Sequence, residues 1–195
     1  CAKECGVPVR IAHSHNSNQD KNLRFIIKKY YMKQIPEFAT DLLACSKRAG
    51  DWMFCGKAYD VLANAIDLKN YTYNSNIAEG SRNKFGITNE LVVGHVGRFR
   101  KQKNHMFLLD IMTEIVKNVP TAKLFLVGDG DKFPSVKEKA QRLGLERNVI
   151  FAGNRSDVNE IMQAMDVFVF PSLYEGLPVT MIEAQASGLH CVISD

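Results

Sequence analysis

Short apolar runs alternate with longer amphipathic stretches along most of this chain. In the first part, residues 9–13 read as a strand, 21–35 as a helix, 42–45 as a strand, 47–53 as a short helix and 61–64 as another strand. A polar stretch from Ser75 to Lys84 interrupts the pattern. It resumes as strand 91–96, helix 106–117, strand 124–127, helix 135–143, strand 149–151, helix 158–165 and strand 167–170. Strands separated by helix-length segments pair in parallel through crossovers rather than through hairpins. The pattern predicts an α/β protein with a doubly wound, Rossmann-like parallel-sheet domain over residues 86–195. Part of a second domain of the same kind precedes it over residues 1–80, with the polar stretch near residue 80 as the boundary.

The densest candidate chemistry follows the last of these strands. Pro171, Gly176 and Pro178 confine a turn, and a helix restarts with Met181, Ile182, Ala184 and Ala186 on its core face and Gly188 placed to end it. Glu175 then sits on the loop and Glu183 on the helix. The backbone N–H groups around Val179 and Thr180, at the helix start, attract a phosphate. The two carboxylates can accept hydrogen bonds from hydroxyl-rich groups such as ribose and hexose. A sugar nucleotide has that distribution of groups.

Pro171-Ser172-x-x-Glu175-Gly176-x-Pro178, followed by Glu183 after an apolar interval, resembles the retaining group-1 (family 4 type) glycosyltransferases of GT-B fold. Val96-Gly97-Arg98-Phe99 through Lys103-Asn104 is similar to the Gly-Arg-x(4)-Lys element of that family, whose Arg and Lys hold the donor diphosphate; here these are Arg98 and Lys103. Fixed cations there stabilise the charge that grows on the leaving diphosphate more than they stabilise the ground state. The resemblance gives Glu183 to the ribose hydroxyls and Glu175 to those of the transferred sugar. Gly176, Leu177 and Val179 offer backbone donors near the phosphates and sugar. His15, at the end of the first strand, matches the histidine that reaches the cleft, whereas His13 reads as structural. A loop histidine that caps local backbone is the alternative for His15.

Gly128-Asp129-Gly130 lines the donor pocket in that family. As a dinucleotide fingerprint it fails, because Phe133 stands where the third glycine is required. Arg155, in Gly153-Asn154-Arg155-Ser156-Asp157, can stack on the base, and Ser156 or Asp157 could cap the next helix. Asn64-Ala65-Ile66-Asp67 departs from the usual Asn-Gly-Ile-Asp, so the Ala65 backbone must suit a residue with a Cβ. Asn104 stands where a Gly is common, and His190-Cys191 where Pro-Val is usual.

Composition narrows the setting. The chain has 195 residues, 46% of them hydrophobic, and a net charge of +4. Residues 1–85 carry 13 basic and 8 acidic side chains, and residues 86–195 carry 12 and 13, so the positive excess is N-terminal. Much of it lies in Lys21, Arg24, Lys28, Lys29 and Lys33, interleaved with apolar residues as in a helix that rests on an anionic membrane surface. No apolar run reaches the roughly 20 residues of a membrane span. Five scattered cysteines favour reduced thiols and a cytoplasmic setting. The five histidines are dispersed and no clustered ligand set is apparent, so the donor is expected to bind without a metal or cofactor, and nucleic acid is not an expected partner. The lack of an initiator Met, and of the glycine-rich loop that opens the family's first domain, predicts a fragment. A sugar-nucleotide epimerase of the same fold and a non-catalytic nucleotide-binding module are the rival readings.

Overall fold

The computed structural model describes residues 2–18 and 23–194, without the side chains of Leu23 and Arg24. It divides into two compact units: Cys1–Ala65 with Tyr174–Pro178, and Ile66–Leu173 with Val179–Asp195.

The first unit contains strands β1 (Ile11–Ser14), β2 (Asp41–Ala44) and β3 (Asp60–Val61), paired in parallel in that order. Helix α1 (Leu23–Phe38) joins the first two strands and α2 (Lys47–Phe54) the last two. The first two residues of the 21–35 helix expected from sequence lie outside the described residues, and the helix runs three residues further than expected. Ala44, Cys45, Ala49 and Phe54 form a small core with Ile35, Leu42 and Leu177 against it. β3 is only Asp60–Val61, both exposed, so the strand expected over residues 61–64 begins one residue earlier and is shorter.

The second unit is a five-stranded parallel sheet of β4 (Val92–Val96), β5 (Lys123–Val127), β6 (Val149–Gly153), β7 (Val167–Phe170) and β8 (His190–Ile193), in the order β6-β5-β4-β7-β8. The chain builds outward from β4 in one direction and then reverses through β7. That reversal is the switch point of a doubly wound sheet, where ligands bind beyond the C-terminal strand ends. Alternate residues of β5 feed opposite faces, as a two-residue period requires. Leu124 and Leu126 join Leu108, Leu109 and Met112 of α4 (His105–Asn118) and Val136 of α5 (Phe133–Arg142). Phe125 and Val127 join Ile161 and Met162 of α6 (Val158–Met162) and Ala184 of α7 (Val179–Ala186).

Two expectations from sequence are corrected here. The polar stretch near residue 80 is not where the units divide: Ser75–Lys84 is helix α3, capped by Asn74 and belonging to the second unit, which begins at Ile66. Few of its residues are apolar because Arg82 does the anchoring. Its guanidinium donates to the carbonyls of Ala164 and Glu90 and pairs with Asp166, whose Oδ2 accepts from the Val92 N–H at 2.7 Å. The second correction is β8, which the alternating pattern leaves unassigned. It is a sheet edge and stays largely exposed.

Candidate functional site

In the second unit, three loops leave the C-terminal ends of β4, β5 and β6 side by side. Gly97 N–H donates to Val127 O at 2.9 Å, Phe99 N–H to Asp129 O at 3.0 Å, and Gly128 N–H to Gly153 O at 2.8 Å. The glycines make this approach possible. A Cβ on Gly128, whose φ is 134°, would lie 2.2 Å from the Gly97 carbonyl oxygen, and one on Gly130 would lie 2.5 Å from that of Phe99. Phe133, in the place of a third glycine, packs edge-on against Phe99 and Phe151. The loops enclose a cavity of about 490 Å³ whose lining includes Val96, Arg98, Gly128, Asn154, Arg155 and Val158.

The basic loop rises from β4. Arg98 is exposed on the cavity wall. Residues Lys101–Lys103 form a 3-10 turn, and Asn104 then takes a left-handed conformation, φ 55° and ψ 39°, before α4 begins. This is why a glycine is common at that place and why asparagine, among the residues most tolerant of this region, can stand there. Lys103 Nζ lies 4.4 Å from the centre of the Phe170 ring, at the end of β7.

Beneath the loop His95 and His105 are buried, and His95 Nδ1 lies 2.9 Å from Val169 O. Burial, with His105 next in weight, pushes the His95 pKa down to about 3. Burial and the Lys103 charge bring His105 down to about 4. Both rings are therefore neutral near pH 7.

Arg155 does not wait free for a base. Its Nε and Nη2 donate to Asp157 Oδ1 at 2.8 Å and Oδ2 at 2.6 Å, and Lys84 Nζ reaches the same carboxylate at 2.8 Å. The two cations hold the Asp157 carboxyl well below the usual carboxylate range, with Arg155 the larger influence. Asp157 thus sits at the N-cap position of α6 without capping it. The edge of the guanidinium is fixed by Asp157, and its Cζ lies over the Phe85 ring, 5.8 Å from the ring centre.

Helix α7 starts at Val179, directly after Pro178. Glu183 Oε1 accepts a hydrogen bond from the Tyr71 hydroxyl at 2.7 Å. Nothing in the sequence points to Tyr71, because its partner is 112 residues away.

The first unit gathers the other candidates. His15 follows β1 directly, exposed, with its ring 4.2 Å from that of His13. The segment Tyr174–Pro178 is held by its backbone. Ser17 Oγ donates to Glu175 O, Ser46 Oγ to Gly176 O at 3.4 Å, and Asn64 Nδ2 to Leu177 O at 2.6 Å. A Cβ on Gly176 would lie 2.3 Å from the His15 carbonyl oxygen. The loops that follow β1, β2 and β3 thus converge, through Ser17, Ser46 and Asn64, on the Glu175-Gly176-Leu177 turn. Among the described residues the only positive-φ residues other than glycine are Cys55 and Asn104, so Ala65 keeps a backbone that suits its Cβ.

A family model described as glycosyl transferases, group 1, matches residues 78–195, which include the basic loop, the glycine loops and Glu183. The chain belongs to the group 1 glycosyl transferases. The chain is 38% identical over 206 residues to EpsF of Bacillus subtilis, a protein named as a putative glycosyltransferase, with 100% of this chain and 53% of the relative covered. It is 30% identical over 207 residues to an Escherichia coli enzyme named UDP-Gal:alpha-D-GlcNAc-diphosphoundecaprenol alpha-1,3-galactosyltransferase, again over 100% of this chain and 53% of the relative. The chain spans about half the length of these curated relatives. Anabaena HepE solved in complex with UDP-glucose superposes with a TM-score of 0.83 at 25% identity, over 94% of this chain and 52% of that one. WaaG, a glycosyltransferase involved in lipopolysaccharide biosynthesis, superposes with a TM-score of 0.74 at 18% identity, over 98% and 60%. The chain therefore has the Rossmann-like sheets of the GT-B fold.

Among the described residues, no three His, Cys, Asp or Glu side chains group where they could hold a metal ion, and no helix is long and apolar enough to cross a membrane.

Proposed function

We propose that this transferase moves a hexose from a UDP-sugar to a saccharide or lipid-linked acceptor, with retention of configuration, in the assembly of a polysaccharide or glycolipid. One observation carries the reading. At the switch point of a single sheet, the loop after β4 presents Arg98 and Lys103, the glycine loops border a 490 Å³ cavity, and the helix after β7 presents Glu183. The base and ribose occupy that cavity, with the Arg155 face on the base and Glu183 on the ribose. Arg98, Lys103 and the α7 N-terminus balance the diphosphate, so a divalent ion is not required. Glu175 and His15 act on the hydroxyls of the transferred sugar, with Gly176, Leu177 and Val179 as backbone donors. Glu175 and Glu183 position the donor rather than transfer protons. The UDP-sugar and lipid-linked acceptor are supported by the activity for which the E. coli relative is named. A nucleotide-sugar donor also sets the reaction in the cytoplasm.

The test is calorimetry of UDP and GDP in excess chelator, followed by mass spectrometry for a hexose on the acceptor. Binding without metal, weakened at least tenfold in Glu183→Ala, is expected from the loss of a charged hydrogen-bond acceptor. Unchanged affinity in that variant overturns the assignment. Donor turnover with no labelled acceptor favours an epimerase, and failure of every donor to bind favours a scaffold.

The same proposal includes a peripheral membrane contact through α1. Ile26, Ile27, Tyr30 and Tyr31 are each about three-fifths exposed, beside exposed Lys28, Lys29 and Lys33. Exposed apolar side chains flanked by lysines suit the interface of an anionic bilayer. Co-sedimentation with phosphatidylglycerol vesicles, lost in a Lys28→Gln, Lys29→Gln, Lys33→Gln variant, is the expected result. Equal binding to neutral vesicles overturns it.

A further inference from the structure

The bond between Tyr71 and Glu183 does more than close a gap in the fold. Tyr71 ends the 3-10 turn Leu68–Asn70, which Asp67 caps by accepting from the Lys69 N–H at 3.1 Å. Both sides of the tyrosine are tied to the α6 segment. Asn159 Nδ2 donates to Asn70 O at 3.1 Å, and the Asn74 N–H donates to Gln163 Oε1 at 2.8 Å. The ring packs against the core cluster that contains Ile161, Met162 and Ala184. A phenol held so firmly at its backbone and ring has little freedom in its hydroxyl, and that hydroxyl meets Glu183 Oε1 at 2.7 Å.

We infer that Tyr71 is a positioning residue for the donor ribose: by holding Oε1 of Glu183 it fixes the carboxylate rotamer and leaves Oε2 as the oxygen that a ribose hydroxyl reaches. The inference rests on the ribose role proposed for Glu183. A glutamate on a helix has three side-chain torsions, and freezing them in the unliganded protein removes an ordering cost from ligand binding. Burial, and next the hydrogen bond to Glu183, raise the Tyr71 pKa to about 12, so the phenol remains the donor throughout the usable pH range.

Tyr71→Phe keeps the packed ring and removes only the hydroxyl. The readout is the preference of the chain for UDP over 2′,3′-dideoxy-UDP, measured by calorimetry, which a purely structural role for the hydroxyl would leave unchanged. A charge-assisted hydrogen bond gives the wild-type chain a preference of roughly tenfold or more. In Tyr71→Phe that preference is expected to fall to about threefold or less, with dideoxy-UDP affinity unchanged. The hydroxyl substitution should also add nothing once Glu183→Ala has removed the acceptor, since the two act through one contact. A wild-type preference that survives intact in Tyr71→Phe overturns this inference alone. A wild-type chain that binds both nucleotides alike overturns the ribose role of Glu183 and this inference with it.

Discussion

His95 and His105 meet edge to face with ring centroids 4.8 Å apart, both buried beneath the loop that carries Arg98 and Lys103. Folding holds the two rings neutral, with pKa values of about 3 and about 4 against an ordinary 6.5. The unfolded chain therefore binds protons that the folded chain refuses. The stability these rings contribute is fully present above pH 6.5 and is lost as pH falls toward 4, at up to about 1.4 kcal/mol per pH unit for each ring that titrates. Urea unfolding between pH 7.5 and 4.5 should show this slope, and His105→Gln should flatten it. An equal slope in that variant contradicts the assignment.

Gly128→Ala should damage the site from within. The new Cβ collides with the Gly97 carbonyl, a backbone atom that cannot rotate away, and the φ of 134° disfavours any side chain. A stability loss of more than about 1 kcal/mol is expected, together with loss of nucleotide binding. Thermal unfolding with and without UDP measures both.

Arg98→Ala should separate binding from folding. The side chain is exposed, so stability should stay within about 0.5 kcal/mol of wild type, while affinity for a diphosphate drops at least tenfold. Affinity for uridine, which has no phosphate, should not change. A parallel fall in uridine affinity would mean that Arg98 shapes the cavity rather than neutralising charge.

Gly176→Ala tests the other unit. Its Cβ would press on the His15 carbonyl at 2.3 Å and on Cys45 Sγ at 3.0 Å, lifting the Glu175-Gly176-Leu177 turn from its seat. Transfer should fall with little change in UDP affinity, because UDP lacks the sugar assigned to Glu175. Equal affinity for UDP and unchanged transfer rate would remove Glu175 from the mechanism.

The strand and helix pattern of the second unit was legible because each of its strands through β7 is an apolar run with a helix on either side. Helix α3 was not, since a helix anchored by the backbone contacts of Arg82 needs no apolar stripe. β8 was not, since an edge strand need not be uniformly apolar. Arg98, Lys103 and Glu183 stood out through local spacing. Tyr71 and the Lys84–Asp157–Arg155 network depend on contacts across 112 and 73 residues, and no local pattern encodes those. The asparagine at position 104 reads as a departure until its left-handed backbone shows that it does the work of a glycine.

Arg82 and Asp166 tie the strand starts of β4 and β7 at the end of the sheet remote from the loops that carry Arg98 and Lys103. The contacts that assemble the sheet and the residues proposed for the donor thus lie at opposite poles of the same parallel strands. Lesions at Arg82 should therefore appear as lost abundance, while substitutions at Arg98 leave the sheet assembled.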